Sequence, residues 1–192
     1  MKKVLFIHGF ASSGQSQKAH DLAKMLNCEV IAPDLKHQPE QDIQSLEIIL
    51  KNESIELIVG SSLGGFYALL LGMRQPYKLL LINPSLHPHL TLQDRLGYVE
   101  SFKGNGFDWS SNEINALAKF ATDLQLSENA NIQMRMLLKQ TLVLLARHDE
   151  RLNAQETIHL LKDAQIIVDD EQDHRFADLT KYTPYIQQLY LA

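Results

Sequence analysis

The chain has 192 residues, 45% of them hydrophobic and 21% charged, a balance that supports a buried core and argues against disorder. At that length one domain, over residues 1–192, is expected. A net charge of −5 with no long basic run argues against nucleic acid as the main partner, and the lone cysteine, Cys28, excludes an internal disulfide and fits a reducing compartment.

The N-terminal apolar run Val4-Leu5-Phe6-Ile7 is too short for a signal peptide. No run approaches the roughly 18 apolar residues of a membrane span. A cytoplasmic protein is expected. Residues 4–8 read as a strand buried on both faces. A loop, 9–14, leads to a helix over 16–26, and a short strand at 30–32 ends at Pro33-Asp34. Residues 38–51 read as a helix with Ile43, Leu46, Ile49 and Leu50 on one face. A third strand covers 56–60, followed by a helix to 75 and a fourth strand at 78–82, stopped by Asn83-Pro84.

Residues 85–140 break this rhythm. The segment is too long for a bare loop, and 113–124 and 132–138 look helical. A helical, lid-like insertion over the active-site edge of the sheet is expected, with Tyr98, Phe102, Phe107 and Trp109 to line an apolar pocket. A purely packing excursion is the alternative. Residues 141–146 form a fifth strand, 154–162 a helix, 165–168 a sixth strand and 182–190 a last helix. Strands alternating with helices give an α/β class: about six parallel strands, with helices on both faces.

Gly60-Ser61-Ser62-Leu63-Gly64 reads G-x-S-x-G between an apolar strand and a helix. That context is the nucleophile elbow of the α/β-hydrolase fold. Only Ser62 has glycine at both −2 and +2, which favours it over Ser61; a glycine-rich turn with Ser62 as helix cap is the plainer reading. A serine nucleophile needs a base, and the base an orienting carboxylate, in the order Ser, acid, His. Asp149 follows the fifth strand and His174 follows the sixth, both at the strands' C-terminal edge. Glu150, Asp169, Asp170 and Asp173 remain alternative acids. The oxyanion donors are expected to be the N–H of Leu63 and that of Phe10, or of Ala11, in the loop after the first strand. His8 reads as a residue ordering that loop. His87-Pro88-His89 lacks a ligand cluster at metal spacing, so no metal is expected.

His8-Gly9-Phe10 with Ser12-Ser13, Gly60-Ser61-Ser62-Leu63-Gly64-Gly65-Phe66, and Asn83-Pro84 with Pro88 resemble the YqiA/YcfP family of small α/β-hydrolase esterases. The likeness runs over essentially the whole chain. It implies a compact hydrolase acting on small-molecule carboxylic esters or acyl thioesters without a cofactor. Two positions depart from the family pattern. His148-Asp149-Glu150 stands where Gly-Asp-Glu is usual, and Gln172-Asp173-His174 stands where the loop is usually glycine-rich with Asn before His. Those departures keep open a hydrolase-fold binding protein without activity, and a peptidase or amidase uses the same triad.

Overall fold

The computed structural model describes residues 2–102, 104–126 and 131–192. A six-stranded parallel sheet runs in the order β2-β1-β3-β4-β7-β8. Its strands are β1 (Lys3–Ile7), β2 (Glu29–Ile31), β3 (Ile55–Ser61), β4 (Lys78–Ile82), β7 (Thr141–Ala146) and β8 (Gln165–Asp169). Alternation within the strands divides the core between the two faces. Leu5, Ile7, Ile58, Leu79, Leu81, Val143 and Leu145 point to one cluster. Val4, Phe6, Leu57, Val59, Leu80, Ile82, Leu142 and Leu144 point to the other.

The second cluster is closed by α1 (Gln17–Leu26) and α8 (Thr183–Leu191), through Leu22 and Ile186. The first is closed by α2 (Pro39–Asn52), α3 (Leu63–Arg74), α5 (Ser111–Leu124) and α6 (Ile132–Leu138). Local signals explain where these helices begin. Ser16 caps α1 by accepting from the Ala19 N–H. Ser110 and Glu113 form a reciprocal capping box at the start of α5. Helix α3 is buried from Leu63 through Gly72, as suits the helix that leaves the centre of the sheet.

Between β4 and β7 the chain holds the expected helices α5 and α6, preceded by a short α4 (Pro88–Thr91). It also holds a hairpin that a purely helical insertion did not anticipate. Strands β5 (Gly97–Glu100) and β6 (Gly106–Trp109) pair antiparallel, Tyr98 opposite Asp108 and Val99 opposite Phe107. Helix α7 (Ala154–Leu160) lies between β7 and β8.

The side chains of this segment join the main core. Trp109, Ile114, Leu117, Phe120 and Leu124 belong to the same buried cluster as the sheet face above them. Trp109 is 1% exposed, and its indole N–H donates to the Leu92 carbonyl at 3.2 Å. Trp109→Ala is therefore expected to destabilise the fold by about 3–5 kcal/mol. Denaturant unfolding checks this: a loss under about 1 kcal/mol would remove Trp109 from the core.

Candidate active site

Five segments meet at the C-terminal edge of the sheet: the loops after β1, β3, β4, β7 and β8. Ser62 stands between β3 and α3 with φ 53° and ψ −118°, a left-handed conformation that is strained for a residue with a side chain. The surroundings hold it there. Its N–H donates to the Ile82 carbonyl at 3.0 Å, and its own carbonyl accepts from the N–H groups of Gly65 at 2.9 Å and Ser85 at 3.0 Å. The flanking glycines permit the crossing. A Cβ on Gly60 would overlap the Gly64 carbonyl, and one on Gly64 would overlap the carbonyl of Ile7. Ser61 is buried, whereas Ser62 is partly open to solvent.

His174 Nε2 lies 3.1 Å from Ser62 Oγ. Its Nδ1 lies 2.8 Å from Asp149 Oδ2 and 3.0 Å from Oδ1. A carboxylate only accepts, so Nδ1 carries the proton and Nε2 is left to accept from the serine hydroxyl. The Asp149 side chain is 2% exposed. Its Oδ1 also accepts from the N–H groups of Arg151 at 2.8 Å and Leu152 at 2.9 Å, an Asx-type turn that fixes the carboxylate plane.

The other acids are engaged elsewhere. Glu150 Oε2 accepts from the His174 backbone N–H at 3.0 Å, so it holds the loop and not the ring. Asp170 pairs with Arg147, and Asp173 Oδ1 accepts from the Arg175 N–H. Asp169 accepts from the Tyr182 hydroxyl, from Lys181 Nζ at 2.9 Å and from the N–H groups of Glu171 and Gln172. The Tyr182 hydroxyl first, then Lys181, hold its carboxyl well below the usual carboxylate range. This anchor on the loop carrying His174 is complete above the ordinary carboxylate pKa of about 4 and weakens progressively as the pH falls below it.

The loop after β1 runs against Ser62: a Cβ on Gly9 would lie 3.1 Å from Ser62 Cβ. His8 orders this loop. Its Nε2 accepts from the Leu35 N–H at 3.0 Å, which leaves Nδ1 to donate to the Gly9 carbonyl at 2.8 Å. Leu63 opens α3, so its N–H is among those without a partner inside the helix. The Phe10 ring is gripped by Trp109, with centroids 4.8 Å apart, by Phe107 at 5.5 Å and by His37 at 5.6 Å. Burial lowers the pKa of His37 to about 4, with His8 adding to the effect, so the ring stacked on Phe107 is neutral. The Ala11 carbonyl accepts from the Phe102 N–H at 3.0 Å.

The hairpin thus braces the loop that carries Phe10, a role not foreseen from the sequence. The alternation Phe107-Asp108-Trp109 was its visible signal. Of the four aromatic residues expected to line a pocket, Phe107 and Trp109 pack on Phe10, while Tyr98 and Phe102 are exposed. His87 Nε2 faces Glu156 Oε1 at 3.4 Å, and among the described residues no three His, Cys, Asp or Glu are grouped to hold a metal. No helix among the described residues is long and apolar enough to cross a membrane.

The model of the "Uncharacterised protein family (UPF0227)" matches residues 3–190. The chain belongs to the UPF0227 family. A UPF0227 protein of Yersinia pseudotuberculosis is 27% identical, the match covering 97% of this chain and 96% of the relative. The UPF0227 protein YcfP of Salmonella paratyphi A is 25% identical over the same shares. The resemblance to the YqiA/YcfP family is therefore borne out. Among solved structures, Est1E from Butyrivibrio proteoclasticus superimposes with a TM-score of 0.71 at 14% identity, over 98% of this chain and 86% of that one. A pyrethroid hydrolase from Sphingobium faniae JZ-2 gives 0.66 at 15% identity, over 100% and 98%. The UPF0227 chain has the α/β-hydrolase fold that these esterases and hydrolases share.

Proposed function

We propose that this UPF0227 chain is a cytoplasmic serine hydrolase, one catalytic domain over residues 1–192 that cleaves carboxylic esters or acyl thioesters. The observation that carries the reading is the connected path from Ser62 Oγ through His174 to Asp149, starting from a serine held in the left-handed elbow conformation. The names of the structural neighbours support it.

In this reading Ser62 Oγ attacks the acyl carbon while His174 Nε2 takes its proton. Asp149 holds the ring in the required tautomer and stabilises the imidazolium. The N–H groups of Phe10 and Leu63 receive the charge that develops on the carbonyl oxygen. Collapse of the tetrahedral intermediate transfers the Nε2 proton to the departing alcohol or thiol and leaves an ester on Ser62. Water, deprotonated by the same nitrogen, then releases the acid and restores the serine. These residues need no cofactor for any of these steps.

A panel of p-nitrophenyl esters, acyl thioesters and p-nitroanilides tests the class. Ester or thioester turnover is expected to exceed anilide turnover and to survive chelator. Preference for anilides would make the protein an amidase. Activity lost in chelator would point to metal chemistry.

A further inference from the structure

Asn83, the first residue after β4, touches none of the reacting groups, yet its side chain lies between the segments that supply two of them. It is 2% exposed and has φ 41°, a left-handed conformation that asparagine tolerates better than most residues. Both ends of its amide are used. Nδ2 donates to the carbonyls of Asp173 at 3.0 Å and His174 at 3.1 Å. Oδ1 accepts from the N–H of Ala146 at 2.8 Å. Ala146 ends β7, three residues before Asp149, so one carboxamide joins the strand carrying the acid to the loop carrying the base.

The backbone around Asn83 extends the clamp to the third member. Its own N–H donates to the Leu144 carbonyl of β7. On either side of it, the Ile82 carbonyl and the Ser85 N–H bind the backbone of Ser62. The turn 82–85 therefore contacts the nucleophile, acid and base segments together. The bonding pattern demands an amide: two donors on one atom face two carbonyls, and one acceptor on the other faces an N–H. Aspartate has the same shape and no donor, so its oxygens would face the two carbonyls.

We propose that Asn83 is a positioning residue that sets the reach of His174 between Asp149 and Ser62, a role that rests on the hydrolase reading above for its kinetic consequence. The sequence showed Asn83-Pro84 as a strand stop and as part of the family resemblance; the geometry gives its side chain a task. Displacing a base by about 1 Å costs roughly 10²-fold in rate. Asn83→Gly keeps the left-handed backbone and deletes the amide, and Asn83→Asp keeps the volume and deletes the donors. Both are expected to lower kcat about 10²-fold while KM moves by less than about threefold.

A second readout does not depend on turnover: the downfield proton resonance of His174 Nδ1–H, assigned by its loss in Asp149→Asn. In both variants it is expected to broaden or shift, with far-ultraviolet circular dichroism unchanged. If either folded variant keeps the wild-type resonance and kcat, the proposal is wrong. If Asn83→Gly fails to fold, Asn83→Asp decides alone: a wild-type resonance in it overturns the role. A wild-type protein without ester turnover, whose resonance is still perturbed by these substitutions, would sink the hydrolase reading and leave the positioning role standing.

Discussion

Ser62→Ala is expected to lower kcat for an aryl ester by roughly 10⁴–10⁶-fold, with the thermal midpoint little changed. In energy that is about 5–8 kcal/mol of transition-state stabilisation. The fold should survive because the strained backbone at Ser62 is fixed by main-chain bonds to Ile82, Gly65 and Ser85, none of which uses the hydroxyl. Residual turnover should come from the oxyanion donors and from substrate binding. Ser61→Ala is the matched control. Ser61 is buried and closes the end of β3, so its loss should leave kcat within about tenfold of wild type. Steady-state kinetics on both variants check the register. A silent Ser62→Ala beside an inactive Ser61→Ala would place the nucleophile one residue earlier.

The second large effect concerns the acid. Asp149→Asn is expected to lower kcat about 10⁴-fold. The replacement amide can turn its NH₂ toward His174 Nδ1, which favours the tautomer whose Nε2 carries the proton and faces Ser62 with nothing to accept. Its oxygen can still receive the N–H groups of Arg151 and Leu152, so the turn is preserved and the loss is chemical. Glu150→Gln should fall by less than about tenfold, because the amide oxygen can still accept from the His174 N–H and no ring contact is involved. The opposite ranking of the two kcat values would move the acid to Glu150. Indifference to both would direct attention to Asp169, Asp170 or Asp173.

Much of this was legible in the sequence, for identifiable reasons. Continuous apolar runs such as Val4-Leu5-Phe6-Ile7 can only be buried on both faces, so the parallel sheet and its order of helices followed from local pattern. The G-x-S-x-G turn was legible because crossing a strand and a helix at Gly60 and Gly64 leaves no room for Cβ atoms, a demand that writes itself into a short motif. The choice of acid was less accessible. Asp149 stands three residues past the end of β7 and Asp169 ends β8, and only the tertiary pairing of Asp169 with Tyr182 and Lys181 separates them.

The hairpin escaped because four-residue strands around a turn give a weak periodic signal beside long helices. Its bracing of Phe10 through Trp109 and Phe107 joins residues about a hundred positions apart, which no local pattern encodes. Asn83 shows the same limit. A strand-stopping Asn-Pro pair is visible in any sequence, but the two carbonyls its amide meets lie on a loop that arrives only when the sheet is complete.

The central claim is that Ser62 is a nucleophile activated by His174. Fluorophosphonate reactivity tests it most directly, since the reagent phosphonylates an activated serine and needs no knowledge of the natural ester. Intact mass followed by peptide mapping should show one stoichiometric adduct, on Ser62, forming orders of magnitude more slowly in His174→Ala and absent in Ser62→Ala. An adduct on another residue, or no adduct on well-folded wild-type protein, would contradict the account.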